Sequence, residues 1–188
     1  MSAAPTARHA PPRDVIERAA RIALLVLDVD GVLTDGRLYL GDNGVEYKTF
    51  SSRDGHGIKL LMSAGVQVAV ITGRRSQLVE QRMAALGVTR VHQGDDRKRP
   101  IFERMLAEIG IDASQAAYVG DDLVDLPVMR ACGLSVAVAD ADPRVVARAH
   151  WCTVNAGGRG AVREVCELLL DARGALDAAL AHWLEDAP

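Results

Sequence analysis

An apolar run that stops abruptly in acids constrains this chain more than any other feature: Leu24-Leu-Val-Leu-Asp28-Val-Asp30-Gly31-Val-Leu-Thr34-Asp35-Gly36. Residues 22–27 are apolar without alternation, which is the mark of a parallel strand covered on both faces. Open α/β sheets bind their ligands just past the carboxyl ends of strands, where Asp28 and Asp30 fall. As strand residues the two would share a face until the chain turns at Gly31. Neighbouring carboxylates repel, and that repulsion either raises a pKa or recruits a hard cation such as Mg²⁺. A strand end followed by a plain Asp-Gly turn is the competing reading.

Three further apolar runs end in residues suited to phosphate chemistry. Val66 to Ile71 leads to Thr72-Gly73-Arg74-Arg75, Arg90 to His92 leads to Gln93-Gly94 and then Lys98, and Ala116 to Val119 leads to Gly120-Asp121-Asp122-Leu-Val-Asp125. Each has a bland alternative: Thr72 as a helix N-cap, Lys98 as a solvated charge opening a helix, Asp121-Asp122 as a capping pair. Taken together, in the order acids, hydroxyl, ammonium, acids, they resemble the four motifs of the haloacid dehalogenase (HAD) superfamily of phosphotransferases. The resemblance spans about residues 22 to 170. It implies an α/β fold, a doubly wound parallel sheet with a HAD-like Rossmannoid core.

By that resemblance Asp28 is the nucleophile, forming an aspartyl-phosphate, which a carboxylate can do at neutral pH without an activating base. Asp30 is the general acid toward the leaving alcohol and then the general base toward water. Mg²⁺ is held by the Asp28 carboxylate, the Asp30 backbone carbonyl and Asp121, with Asp122 and Asp125 supporting them. Thr72, the Gly73 amide and Lys98 bind the phosphoryl oxygens, where transition-state charge is spread. Asp95-Asp96-Arg97 is more charged than the family pattern, and Lys98-Arg99 leaves open which cation faces the phosphate. Pro100 suits a first helical turn and places Lys98 at or before the cap.

HAD enzymes usually carry a cap domain inserted after the first or second motif, and here there is no room for one. Only 44 residues separate Asp28 from Thr72, and a helix over about Gly55 to Ala64 takes part of them. Arg37 to Phe50 contains two alternating segments around Gly41-Asp-Asn-Gly44, a hairpin signal. Leu38, Leu40, Val45, Tyr47 and Phe50 on a lone hairpin are unstable in water, so it either pairs with copies of itself or folds back on its own core.

Lys48-Thr-Phe-Ser-Ser-Arg53-Asp54-Gly55-His56-Gly57-Ile58-Lys59 and Asn155-Ala-Gly157-Gly158-Arg159-Gly160-Ala-Val-Arg163-Glu164 look like signature segments of 3-deoxy-D-manno-octulosonate 8-phosphate (KDO 8-phosphate) phosphatases. That resemblance implies Mg²⁺-dependent hydrolysis of a phosphorylated sugar acid in lipopolysaccharide precursor synthesis, by a homotetramer whose hairpins cover neighbouring sites. A sugar-acid carboxylate calls for bidentate cations, and Arg53, Arg74, Arg75 and Arg159 are the candidates, against ordinary capping or surface roles. The Gly-Gly-Arg-Gly segment reads as a flexible loop. His56 is either a substrate contact or a hydrogen-bonded structural residue. Alternatives are a phosphatase for a nine-carbon sugar-acid 9-phosphate, or a non-catalytic regulatory HAD-like module.

The bounds set by composition agree. At 188 residues and 49% hydrophobic the chain suits one domain over 14–188, behind a disordered Pro/Ala tail over 1–13. A net charge of -3 with mixed signs offers no basic stripe for nucleic acid. Cys132, Cys152 and Cys166 have no metal spacing and cannot all pair, which points to reduced thiols in the cytoplasm. No stretch is long and apolar enough for a membrane. Leu176, Leu180, Trp183 and Leu184 follow helical spacing, for packing on the core or a subunit contact.

Overall fold

The computed structural model describes residues 11–184, with side chains to 181. The expected tail lies outside the described residues up to position 10, and helix α1, Arg13–Ala19, starts within its last residue. Four strands form where the apolar runs predict: β1 Leu24–Leu27, β4 Gln67–Thr72, β5 Arg90–Gln93 and β6 Ala116–Gly120. With β7 Leu134–Ala137 and β8 Trp151–Cys152 they make one parallel sheet in the order β5-β4-β1-β6-β7-β8. β1 sits inside, with Leu27 opposite both Val70 and Val119.

The two-residue period of the strands sends alternate side chains to two cores. Leu25, Leu27, Val68, Val70, Ala117 and Val119 pack with α1, α2 (Ser52–Ser63), α3 (Gln77–Leu86) and α7 (Ala161–Ala172). Leu24, Val26, Ala69, Ile71, Ala116 and Tyr118 pack on the other face with α4 (Lys98–Ile109), α5 (Leu126–Met129) and α6 (Pro143–Val146). Helices on both faces are what a parallel sheet requires.

Several boundaries differ from the sequence reading. α2 begins at Ser52 rather than Gly55, because Ser51 accepts a hydrogen bond from the Asp54 amide and caps it earlier. The hairpin is real but short: β2 Tyr39–Leu40 pairs antiparallel with β3 Glu46–Tyr47. Phe50 packs against the core, whereas Leu38, Leu40, Val45 and Tyr47 stay exposed, Leu40 at 70%. The last helix, α8, covers Leu176–Leu184; Leu176 and Ala179 rest on the core, and the side chains of Trp183 and Leu184 lie outside the described residues. All three cysteines are free thiols.

Candidate active site

β1 ends at Leu27, so Asp28 to Asp30 lie past the strand and strand alternation does not aim them. The Asp28 amide still donates to the Val119 carbonyl, 3.1 Å, which holds the residue between β4 and β6, 5% exposed as a whole. Gly31 turns the chain at φ +92, and a Cβ there would overlap the Asp121 carboxylate. Glycine is required at that turn on both counts.

Lys98 is buried at 2% exposure, with Nζ 2.9 Å from Asp28 Oδ1 and 2.7 Å from Asp125 Oδ1. It is the first helical residue of α4, one position inside the cap expected for it. Arg99 points out to Glu103 and Arg97 to Asp95, so Lys98 is the cation that faces the acids. Asp125 is saturated: Oδ1 accepts from Lys98 and from the Tyr118 hydroxyl, and Oδ2 accepts from the Asp121 and Asp122 amides. Asp122 caps the short turn at Leu123–Asp125, the bland role weighed for it.

Asp28, Asp121 and Asp125 bring one carboxylate oxygen each within 4.8 Å of one another. With Asp125 consumed, the Lys98 ammonium is what Asp28 Oδ1 has beside it, and Asp121 Oδ1 is left buried without a hydrogen-bond donor. Burial and then the Asp125 charge push the Asp28 carboxyl up to about 7, against the pull of Lys98. Burial and the Asp28 and Asp125 charges push Asp121 up to about 8. Burial pulls the Lys98 ammonium down, but Asp28 and Asp125 outweigh it and hold it above the ordinary lysine value. Clustered carboxylate oxygens with such proton affinity, and one ammonium among three acids, form a site suited to a hard divalent cation.

Thr72 closes β4, 3% exposed, and Ser76, not Thr72, is the N-cap of α3. A Cβ on Gly73 would overlap Asp96 Oδ1, so the Asp96 side chain lies directly against Gly73, bringing the second and third motifs together. The Asp30 carboxylate stands apart from the other acids, in contact with Lys48 Nζ and 3.8 Å from Arg74. Arg74 also grips Glu46 of the hairpin at 3.0 Å. Arg53 and Arg159 line a different cleft of about 340 Å³ with Asn155, Arg163 and Glu164.

Sequence reasoning missed Lys48 and Tyr118. Lys48 is 18 residues from Asp30, and nothing local links them. Tyr118 did leave a signal, since a phenol inside a fully buried strand needs a partner for its hydroxyl. The glycine loop at 155–160 is a correction: it is not loose but tied down at nearly every residue. The Gly157 amide donates to Asp140, the Gly158 amide to the Val32 carbonyl, and the Gly160 amide to Asp54.

A family profile described as haloacid dehalogenase-like hydrolase matches residues 91–165. The 3-deoxy-D-manno-octulosonate 8-phosphate phosphatase of Escherichia coli K12 is 55% identical over 166 residues, 88% of each chain. The chain belongs to the KDO 8-phosphate phosphatase family. Among solved structures, the family member from Yersinia pestis superposes with a TM-score of 0.87 at 51% identity, covering 88% of this chain and 89% of that one. The Moraxella catarrhalis enzyme, described in complex with a magnesium ion, a phosphate ion and KDO, gives 0.89 at 38% identity over 90% and 98%. Membership accounts for the small hairpin where larger HAD relatives carry a cap.

Proposed function

We propose that this chain is a Mg²⁺-dependent phosphomonoesterase that hydrolyses KDO 8-phosphate to KDO and phosphate, a step toward lipopolysaccharide precursors. The observation that carries the reading is the cluster of Asp28 and Asp121 carboxylates, with buried Asp121 Oδ1 lacking any donor and the Lys98 ammonium at 2.9 Å from Asp28. Asp28 and Asp121, with the Asp30 backbone carbonyl, would hold the ion. Bound there, Mg²⁺ offsets the charge of the transferring phosphoryl group.

Asp28 attacks phosphorus in line: an Asp28 oxygen–phosphorus bond forms while the phosphorus–sugar oxygen bond breaks, and Asp30 delivers its proton to the departing alkoxide. In the second half, Asp30 takes a proton from water as that water attacks the aspartyl-phosphate and the Asp28 oxygen leaves. Lys98, Thr72 and the Gly73 amide stabilise the phosphoryl oxygens throughout. Asp125 and Tyr118 keep Lys98 aimed. Arg53, Arg74 and Arg159 bind the sugar-acid carboxylate and hydroxyls, Arg74 from beside Asp30 and the other two from their shared cleft.

Residues 14–188 act as one phosphatase domain, and the working unit is a homotetramer. The exposed Leu38, Leu40, Val45 and Tyr47 support that assembly, because such a patch favours burial against a second copy. Free thiols support a cytoplasmic location. Among the described residues no helix is long and apolar enough to cross a membrane.

The test is phosphate release from KDO 8-phosphate, a nine-carbon sugar-acid 9-phosphate and p-nitrophenyl phosphate, with Mg²⁺ and with excess chelator. Metal-dependent preference for KDO 8-phosphate is expected. Preference for the nine-carbon ester would reassign the substrate, and turnover in chelator would overturn the mechanism.

A further inference from the structure

The segment Asn155-Ala-Gly-Gly-Arg-Gly160 is held by three carboxylates that come from different parts of the fold. The Glu164 side chain accepts from the Val154 amide at 2.9 Å and from the Asn155 amide and side-chain amide at 3.1 and 2.6 Å. Asp140 accepts from the Gly157 amide at 2.9 Å. Asp54, in the first turn of α2, accepts from the Gly160 amide at 3.3 Å and the Arg163 amide at 2.7 Å, capping α7 across the fold. Asp54 is 1% exposed, and burial raises its carboxyl despite the bonds from Arg163 and Gly160.

What the loop is pressed against is the turn that follows the first motif. The Gly158 amide donates to the Val32 carbonyl at 2.8 Å. A Cβ on Gly157 would overlap the Gly31 carbonyl oxygen, and one on Gly158, at φ +64, would stand 2.7 Å from the Asp35 amide. Gly31 adjoins Asp30 and packs against the Asp121 carboxylate on its other side. A continuous path of contacts thus runs from Asp54 through the loop to the backbone between Asp28 and Thr34.

We propose that Asp54 is a positioning residue of the phosphatase reaction: by capping α7 it seats Gly157-Gly158 under the Gly31–Thr34 turn and so fixes where Asp30 stands relative to Asp28. This rests on the reading of Asp30 as the acid and base of the reaction. The carboxylate is buried and accepts from backbone amides of the loop and helix α7 and from its own cap, so it acts through them and not on substrate. What it supplies is its acceptor oxygens: Oδ1 takes the Arg163 amide and Oδ2 the Gly160 amide, with the Val162 amide and Ser51 also bonding the carboxylate. Misplacing a proton donor by about 1 Å costs on the order of 10²-fold in rate.

The experiment compares Asp54→Asn and Gly157→Ala with the unaltered protein on two Mg²⁺-dependent reactions, KDO 8-phosphate and p-nitrophenyl phosphate. The alkyl ester needs a proton delivered to its leaving oxygen, whereas nitrophenolate leaves without one. Both variants should lose about 10- to 100-fold in kcat/KM on the sugar ester and about threefold or less on the aryl ester, with KM for the sugar ester little changed. A destabilised fold would lower both reactions equally, and that outcome, or no loss on either, overturns the proposal. Should Asp54→Asn fail to fold, Gly157→Ala alone decides it by the same ratio. Should the unaltered protein ignore KDO 8-phosphate, the substrate reading falls, and the same ratio taken with another alkyl phosphosugar it does hydrolyse still tests Asp54.

Discussion

Asp28 carries two demands that conflict. As a nucleophile it must be ionised, yet it sits buried next to Asp121 and Asp125 with one ammonium to serve them. Catalytic sites often hold such unfavourable charge, and removing it tends to stabilise the protein while ending its activity. Asp28→Asn should therefore lower phosphate release by about 10³-fold or more and, in chelator at pH 8, raise the melting temperature. Steady-state kinetics and thermal melts of the same sample check both; retained turnover would remove Asp28 from its role. Asp28, Lys98 and Asp121 were legible in the sequence because each stands at or soon after a strand end, where polarity is unexpected in a run of apolar residues. Lys48 and Tyr118 were not, since what gives them meaning is a partner, Asp30 or Asp125, brought close only by folding.

Among the elements, the hairpin contributes in a different way from the strands. β2 and β3 have two residues each, and a pair that small has little stability of its own. Its inner anchor is ionic, Arg74 to Glu46 and Lys48 to Asp30, while its apolar side chains face outward. Replacing Leu40 by Lys and Tyr47 by Ser should leave the monomer folded and shift light scattering from a multimer to a single chain, with activity falling alongside. A wild-type protein that already scatters as a monomer would rule out the tetramer. The turn at Gly41–Gly44 and the alternation around it made the hairpin readable. The glycine loop differs from its sequence reading for an equally physical reason: three glycines signal backbone freedom, but here Gly157 and Gly158 are thin enough to pass the Gly31 carbonyl and the Thr34–Asp35 backbone that a Cβ would meet, and Gly160 takes a φ of +109. The carboxylates that pin it, Asp54 and Asp140, are remote in sequence.

For the molecule as a whole, stability in the absence of metal is tied to two raised carboxyls. Asp28, at about 7, and Asp121, at about 8, bind protons more tightly folded than unfolded. Their contribution is present in full below the unfolded value near 4 and is lost as pH rises through 7 to 8. In chelator the melting temperature should fall between pH 6 and 8.5, and Mg²⁺ should restore more of it at pH 8 than at pH 6, where protons compete with the ion. A metal-free melt independent of pH over that range would contradict the charge arrangement described. The doubly wound order could be read in advance because apolar strands alternate with helix-length segments; which strands neighbour which could not, because pairing is set by packing across the sheet. That order has a cost during synthesis. β1 is the first strand made, yet both of its neighbours come later, β4 ending at residue 72 and β6 at residue 120. At ribosomal speeds the second flank stays uncovered for on the order of ten seconds. Through that interval Leu24–Leu27, the segment that will present the nucleophile, is an apolar ribbon with one edge open to any other strand that could pair with it.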